Sequence, residues 1–180
     1  RILGGVAKTF LPNYREYYEK RWFASGAGLG GLEIEVAGQI APFGIDLLFA
    51  ASDLPHFIFH VEICEDYWAP TPPSTMVALA GALVCCNLSA SNIVVGKARE
   101  RALLCASQSA RAACGYVFSA AGPGARTTDL SWDGQGMIPE LGELIDESTR
   151  LQSEPARVVA DIDADRLRRE RMRNGRCDES

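Results

Sequence analysis

The sequence has no apolar run long enough to cross a bilayer. Its longest weakly charged stretch, Ala69 to Gly96, is broken by three prolines, whereas a spanning helix needs about 20 consecutive apolar residues. A basic surplus is also missing: 18 Lys and Arg stand against 23 Asp and Glu, a net charge of -5. That balance argues against a binder of phosphate backbones, so nucleic acid is not an expected partner, and neither is a membrane. There is no Cys-x-x-Cys among the six cysteines, and only two histidines are present, so the ligand spacing of a zinc site is lacking and no metal site is expected. Arg1 to Val6 carries no apolar stretch followed by a small-residue cleavage site, so no signal peptide is visible. Cys85, Cys86, Cys105 and Cys114 read as small core residues of a reducing, cytoplasmic compartment.

What remains is an ordinary soluble composition. The chain has 180 residues, 47% of them apolar and 23% charged, enough for one globular domain with its own core. Because it starts with Arg and its first residues, Ile2-Leu3 to Val6, read as the middle of a strand, it is expected to be a piece of a longer protein. Glu33 to Ile40 reads as a strand running into a turn at Ala41-Pro42-Phe43-Gly44, with a second extended piece at Leu47 to Ala50. The glycines between Gly26 and Gly31 read as a flexible loop without phosphate-loop spacing. His56 to Cys64 is β-rich, with Phe57, Phe59, Val61 and Ile63 on one side and Ile58, His60, Glu62 and Cys64 on the other. A helix from Pro72-Pro73-Ser74 to Gly81 follows, then an apolar strand from Ala82 to Leu88 of the kind found inside parallel sheets. Lys97 to Ala113 predicts a helix with a small-residue stripe (Ala98, Ala102, Cys105, Ser109, Ala113), and Gly115 to Ala121 another strand. Gly134 to Glu147 reads as a hairpin, Arg157 to Ile162 as a strand, and Asp163 to Arg173 as a helix whose arginines form a solvated face or a domain-edge contact. Alternating strands and helices imply an α/β sheet covered by helices.

Cys64 closes a strand, and strand ends are where α/β proteins present reactive groups. A thiol needs a neighbouring cation or imidazole to become a nucleophile. His60 is a poor partner, because four residues along a strand separate it from Cys64 by roughly 13 Å. Lysine is scarce, with Lys8, Lys20 and Lys97 only, and Lys8 stands in the apolar setting Val6-Ala7-Lys8-Thr9-Phe10-Leu11-Pro12. By itself that lysine also fits an ordinary strand edge.

Lys8-Thr9-Phe10-Leu11-Pro12-Asn13-Tyr14-Arg15-Glu16-Tyr17-Tyr18-Glu19, followed 56 residues after Lys8 by Cys64-Glu65-Asp66-Tyr67-Trp68, resembles the carbon-nitrogen hydrolase (nitrilase) superfamily. Within it, the pattern is similar to the glutaminase domains of glutamine-dependent NAD synthetases. Asn87-Leu88-Ser89-Ala90-Ser91, Gly96-Lys97-Ala98 and Thr127-Thr128-Asp129-Leu130-Ser131-Trp132-Asp133-Gly134-Gln135 fit the same family, so the resemblance runs from Lys8 to about Arg173.

The resemblance implies a four-layer α-β-β-α sandwich, incomplete at its N-terminus. It also implies a glutaminase domain over residues 1–155 and, over 156–180, a strand and charged helix leading to the linker of a synthetase domain. Cys64 would be the nucleophile that attacks the side-chain amide of glutamine. Lys8 would stabilise the oxyanion, with the backbone N–H of Glu65 as second donor and Glu16 as the buried carboxylate that positions the lysine. Tyr14, Glu19, Trp68, Ser91 and Lys97 would form the glutamine site, although solvated positions for Glu19 and Lys97 and rim packing for Trp68 are the plain alternatives. The family's general-base glutamate lies well upstream of its lysine, and only seven residues precede Lys8, so an impaired fragment is expected. No cofactor is implied for this chain; ATP and Mg²⁺ would belong to the synthetase domain, and a homo-oligomer to the parent. A free-standing amidase and a catalytically silent interaction module are the competing readings.

Overall fold

The computed structural model describes residues 1–125 and 130–175. Thr127, Thr128 and Asp129 of the last motif, and Cys177, lie outside the described residues. In chain order the strands and helices are β1 (Gly5–Val6), β2 (Leu32–Val36), β3 (Gln39–Gly44), β4 (Phe49–Ala50), β5 (Ile58–Ile63), α1 (Pro73–Leu79), β6 (Val84–Ser89), α2 (Lys97–Ala112), β7 (Gly115–Ala120), β8 (Gly136–Glu140), β9 (Glu143–Glu147) and α3 (Ala164–Asn174). Single 3₁₀ turns occur at Glu19–Arg21, Cys64–Trp68 and Pro123–Ala125.

The larger sheet has the order β4-β5-β6-β7-β8-β9. Its centre, β5, β6 and β7, is parallel, as the apolar runs and intervening helices require, and its flanks are antiparallel. α1 begins with proline in its first turn, where no intrahelical donor is needed, and ends before Gly81, whose φ of +110° turns the chain toward β6. α1 and α2 pack on β5 to β8. Between them and the sheet lie Val77, Ala82, Cys85, Cys105, Cys114, Tyr116, Phe118 and Met137. Cys85, Cys105 and Cys114 therefore are core fillers, and α2 presents Cys105 and Ser109 of its small-residue stripe to that core. On β5 the buried side chains are the polar ones, His60 and Glu62, while Phe59, Val61 and Ile63 are half-buried. Glu62 accepts from the Tyr116 hydroxyl and from the Ser74 N–H at 2.9 Å, and His60 Nδ1 meets the Leu47 carbonyl at 2.9 Å.

Three expectations are corrected. The turn after the first long strand is at Ala37-Gly38 (φ +49° and +71°), and 39–44 returns as β3 antiparallel to β2. Gly38 supports the turn, whereas Pro42 sits inside a strand whose second neighbour, β1, reaches only Phe43 and Gly44. No strand forms at 157–162. That segment instead lies across the sheet, with Ile162 so close to Gly115 that a Cβ there would come within 2.7 Å of its Cδ1. Finally, α3 does not leave all its arginines to solvent. Asp163 caps it by accepting from Arg166 N at 2.8 Å, and Arg171 is buried with its guanidinium on the carbonyls of Ala78, Ala82, Ala112 and Ala113. The carbonyls of Ala78, Ala112 and Ala113 lie at the C-terminal ends of α1 and α2, where a cation is favoured.

One buried ion pair ties α2 to the segment entering β8. Arg101, fully buried, donates to both carboxylate oxygens of Asp133 at 3.0 and 2.6 Å, and Arg150 adds a third contact at 3.3 Å. Burial pushes the Asp133 carboxyl up, but its bonds to Arg101, Gln135 and Arg150 prevail and hold it below the ordinary carboxylate range. The stability from this lowered group is present above the unfolded carboxylate pKa and lost as pH falls through the folded value. Asp133→Asn is expected to cost about 3–5 kcal/mol at pH 7, the scale for leaving one buried charge unpaired, and to flatten the acid limb of urea-midpoint measurements between neutral and acid pH.

Candidate active site

The C-terminal ends of β5 and β6 face one cavity, the position where α/β sheets gather reactive groups. Ile63 ends β5, and Cys64 opens the 3₁₀ turn with φ +49°, a left-handed conformation rare for a residue with a side chain. Two neighbours hold it there. Asn87 of β6, wholly buried, donates from Nδ2 to the Cys64 carbonyl at 3.4 Å. The Asp66 carboxylate, also buried, accepts from Ile63 N at 3.0 Å, Thr9 N at 3.0 Å and Phe10 N at 2.8 Å. These bonds fasten the stretch after β1 to the turn bearing the thiol, across 56 to 57 residues.

The same clamp places Lys8. Gly26 presses on it from the other side, donating its N–H to the Lys8 carbonyl at 2.8 Å; a Cβ at Gly26 would lie 2.7 Å from Ala7 Cβ. The glycine-rich loop thus serves close approach at this point. Lys8 Nζ is 2.5 Å from Glu19 Oε2. The carboxylate paired with the lysine is therefore Glu19, expected as a substrate-binding or solvated residue. Glu16, expected in that role, instead bonds Asn92 Nδ2 at 2.5 Å and is held below the ordinary carboxylate range, first by a backbone hydrogen bond and then by Asn92 and Lys97. Lys8, Glu19 and Cys64 line a single cavity of about 1000 Å³, with Leu11, Tyr17, Ser89 and Trp132 among its other walls. Trp132 is pinned by an indole bond to the Ala90 carbonyl at 2.7 Å.

Most of the remaining predicted residues gather around Tyr17, itself a wall of that cavity. Lys97 Nζ bonds Asn92 Oδ1 at 2.9 Å and lies 5.8 Å from the centre of the Tyr17 ring and 5.6 Å from that of Trp68, a cation held by two aromatic faces. Burial lowers its pKa, with the Glu16 carboxylate acting the other way. Tyr17 also donates to Asn92 Oδ1 at 2.9 Å. Tyr14 donates to both Glu65 oxygens, at 2.9 and 3.0 Å, and burial raises the Glu65 carboxyl above its ordinary range. The Ser91 hydroxyl is buried and has no hydrogen-bond partner among the described residues. Sequence reasoning passed over Asn92, Tyr17, Asp66, Asn87 and Ser89. All five stand inside or next to the quoted motifs, but no spacing rule singles them out.

Two outcomes follow from this geometry. Asp66→Ala leaves three backbone donors without their acceptor, and since each buried unpaired group costs about 1–3 kcal/mol, its urea midpoint is expected to fall sharply, with Asp66→Asn intermediate. In timed alkylation read by peptide mass spectrometry, Cys64 is expected to react ahead of Cys85, Cys86 and Cys105. Burial pushes the Cys86 thiol up to about 11 and that of Cys105 above the ordinary thiol range, while a bond to Cys114 and then burial do the same for Cys85.

No family model matches the chain. Curated relatives do. The glutamine-dependent NAD(+) synthetase of Mycobacterium tuberculosis (strain H37Rv) is 54% identical over 179 residues, which is 99% of this chain and 26% of that protein. The enzyme of the same name from Thermotoga maritima is 31% identical over 166 residues, 90% of this chain and 25% of that protein. Among solved structures, a glutamine-dependent NAD(+) synthetase from Cytophaga hutchinsonii superposes with a TM-score of 0.67 at 30% identity, covering 82% of this chain and 23% of that one. A carbon-nitrogen hydrolase from Helicobacter pylori, at 17% identity and the same TM-score of 0.67, covers 96% of this chain and 56% of that one and bears on the fold alone. The chain spans about a quarter of the length of the curated relatives it matches. With a thiol on a strand-end turn and a lysine paired to a carboxylate in one cavity, this chain has the fold of the nitrilase superfamily and a sequence similar, over nearly its whole length, to part of the glutamine-dependent NAD(+) synthetases.

Proposed function

We propose that this chain is glutaminase machinery: it hydrolyses the side-chain amide of glutamine and delivers the ammonia to an ATP-dependent amidation of deamido-NAD in a synthetase domain of the same protein. The observation that carries the reading is the cavity shared by Cys64, Lys8 and Glu19, in a sequence 54% identical to a glutamine-dependent NAD(+) synthetase. The Cys64 sulfur attacks the amide carbon, the carbonyl electrons move to oxygen, and collapse expels ammonia to leave a glutamyl thioester that water then cleaves. Lys8 Nζ and the Glu65 N–H stabilise the oxyanion. Such fixed donors are worth most in a cavity that excludes water. Glu19 aims Lys8 through their 2.5 Å contact, the task first expected of Glu16. The thiol proton passes through a general base to the departing amide nitrogen; the resemblance assigns that task to a glutamate upstream of the lysine.

The Tyr17-centred cluster supplies the grip on the amino-acid end of the substrate. Lys97 is the cation for its carboxylate, and Tyr14 with Glu65 the acceptor for its ammonium. The unpartnered Ser91 hydroxyl offers a further hydrogen bond, and Trp68 fixes Lys97 from one side. A homo-oligomeric parent and a cytoplasmic location go with this reading. Among the described residues, no helix is long and apolar enough to cross a membrane.

In the intact protein, Cys64→Ala is expected to abolish glutamine-dependent NAD formation while leaving synthesis from ammonium; retained glutamine-dependent synthesis would overturn the nucleophile. Lys97→Ala should raise KM for glutamine by about tenfold or more, the scale of one hydrogen bond to a charged group, with a smaller change in kcat. A change in kcat alone would remove Lys97 from the binding site.

A further inference from the structure

We propose that Ser89 is a further catalytic residue of this site: its hydroxyl donates a hydrogen bond to the Cys64 sulfur and stabilises the thiolate. The inference deepens the glutaminase reading and rests on it. Ser89 is the last residue of β6, which lies beside β5 and pairs Ile63 with Leu88, so the strand ends meet one residue before each functional side chain. Ser89 Oγ is 3.7 Å from Cys64 Sγ, within hydrogen-bonding reach for sulfur, and both residues are more than nine-tenths buried.

The direction of that bond follows from the other partner of the hydroxyl. The Ser91 N–H donates to Ser89 Oγ at 3.2 Å, which occupies one lone pair and leaves the hydroxyl proton to be directed elsewhere. A serine hydroxyl has one proton to give, and the sulfur is the acceptor that faces it. The Ser91 N–H bond also polarises the hydroxyl, since hydrogen bonds in a chain strengthen one another. Ser89 lines the same cavity as Cys64, Lys8 and Glu19, alongside the apolar Leu11, Leu88, Ala120 and Trp132. In such surroundings a thiolate without a donor is costly. Lys8 is already committed to Glu19 at 2.5 Å, and the donor that meets the sulfur is the Ser89 hydroxyl.

Ser89 keeps its proton throughout; no bond to it forms or breaks. Its contribution is greatest whenever sulfur carries the charge, in the free thiolate before attack and in the leaving thiolate as the thioester is cleaved. Asn87, two residues earlier on β6, is by contrast a positioning residue, because it holds the Cys64 carbonyl and not the sulfur. One strand thereby serves the nucleophile twice, once through its backbone and once through its reactive atom.

The test uses the intact protein and compares wild type with Ser89→Ala, Ser89→Thr and Ser89→Cys, measuring iodoacetamide alkylation of Cys64 against pH by peptide mass spectrometry together with glutamine hydrolysis. In Ser89→Ala the midpoint of the alkylation profile is expected to move up by about one pH unit, tenfold in thiolate at a given pH, with kcat for glutamine falling more than KM rises. Ser89→Thr, which keeps the hydroxyl, should restore the wild-type midpoint. An unchanged midpoint in Ser89→Ala, in a protein whose wild type loses glutaminase activity on Cys64→Ala, overturns the proposal and leaves the glutaminase reading standing. Glutaminase activity that survives Cys64→Ala overturns that reading instead. Should Ser89→Ala fail to fold, Ser89→Cys, a weaker donor of similar size, gives the same decision: a raised midpoint supports the role of the hydroxyl and an unmoved one refutes it.

Discussion

Three backbone N–H groups converge on the carboxylate of Asp66, and the site exists because they do. Thr9 and Phe10 follow the lysine, and Ile63 precedes the cysteine. β1 pairs with β3 only at Gly5 and Val6, and the stretch after it is held on one side by the Gly26 and Ser25 bonds to the Lys8 and Thr9 carbonyls and on the other by this acceptor. Burial raises the Asp66 carboxyl while the bonds from Phe10, Ile63 and Thr9 lower it, and burial prevails. A buried carboxylate is costly unless its oxygens are occupied. Here they are occupied by the donors whose positions matter. The clamp also contributes to the left-handed turn at Cys64, because it draws the N–H before that turn and the side chain after it into one contact.

Around this clamp the molecule divides its polar contacts between two tasks. Asp66 and Asn87 act on the backbone at Ile63 and Cys64, whereas Glu19, Ser89 and Tyr17 contact the side chains of Lys8, Cys64 and Asn92. The buried Arg101–Asp133 pair stands one step further out. It fixes the start of α2 against the residue next to Trp132, and Trp132 walls the cavity. Arg171 does similar work at the far end of the helices, holding α3 to the carbonyls that end α1 and α2. Arg101, Asp133 and Arg171 are thus internal, directional charges, the kind whose loss is felt because a partner is left behind.

The parallel core was legible in the sequence because its signals are local. Ala82 to Leu88 and Gly115 to Ala121 are apolar runs of strand length, and Lys97 to Ala113 has a small-residue stripe at helical spacing; each becomes the expected element within one or two residues. The signals that failed were also local, but weaker than the tertiary contacts opposing them. Pro42 looked like the end of a strand, yet pairing with β2 carries the chain through it. Val158 and Ile162 looked like a strand, yet Gly115 and Gly136 offer them flat surface to pack on, and side-chain contact replaced a ladder.

What the sequence determined by itself was the alternation of strands and helices and the presence of a cysteine at a strand end with an out-of-character lysine far upstream. Those depend on periodicity and residue type, which a chain carries wherever it goes. Only the tertiary structure decided that Lys8 pairs with Glu19 while Glu16 turns to Asn92. Both glutamates lie within one loop, and no spacing distinguishes them. The choice is made by the path of that loop between the Asp66 clamp and Asn92, since a hydrogen bond requires atoms to meet within about 3 Å in space, whatever their separation along the chain.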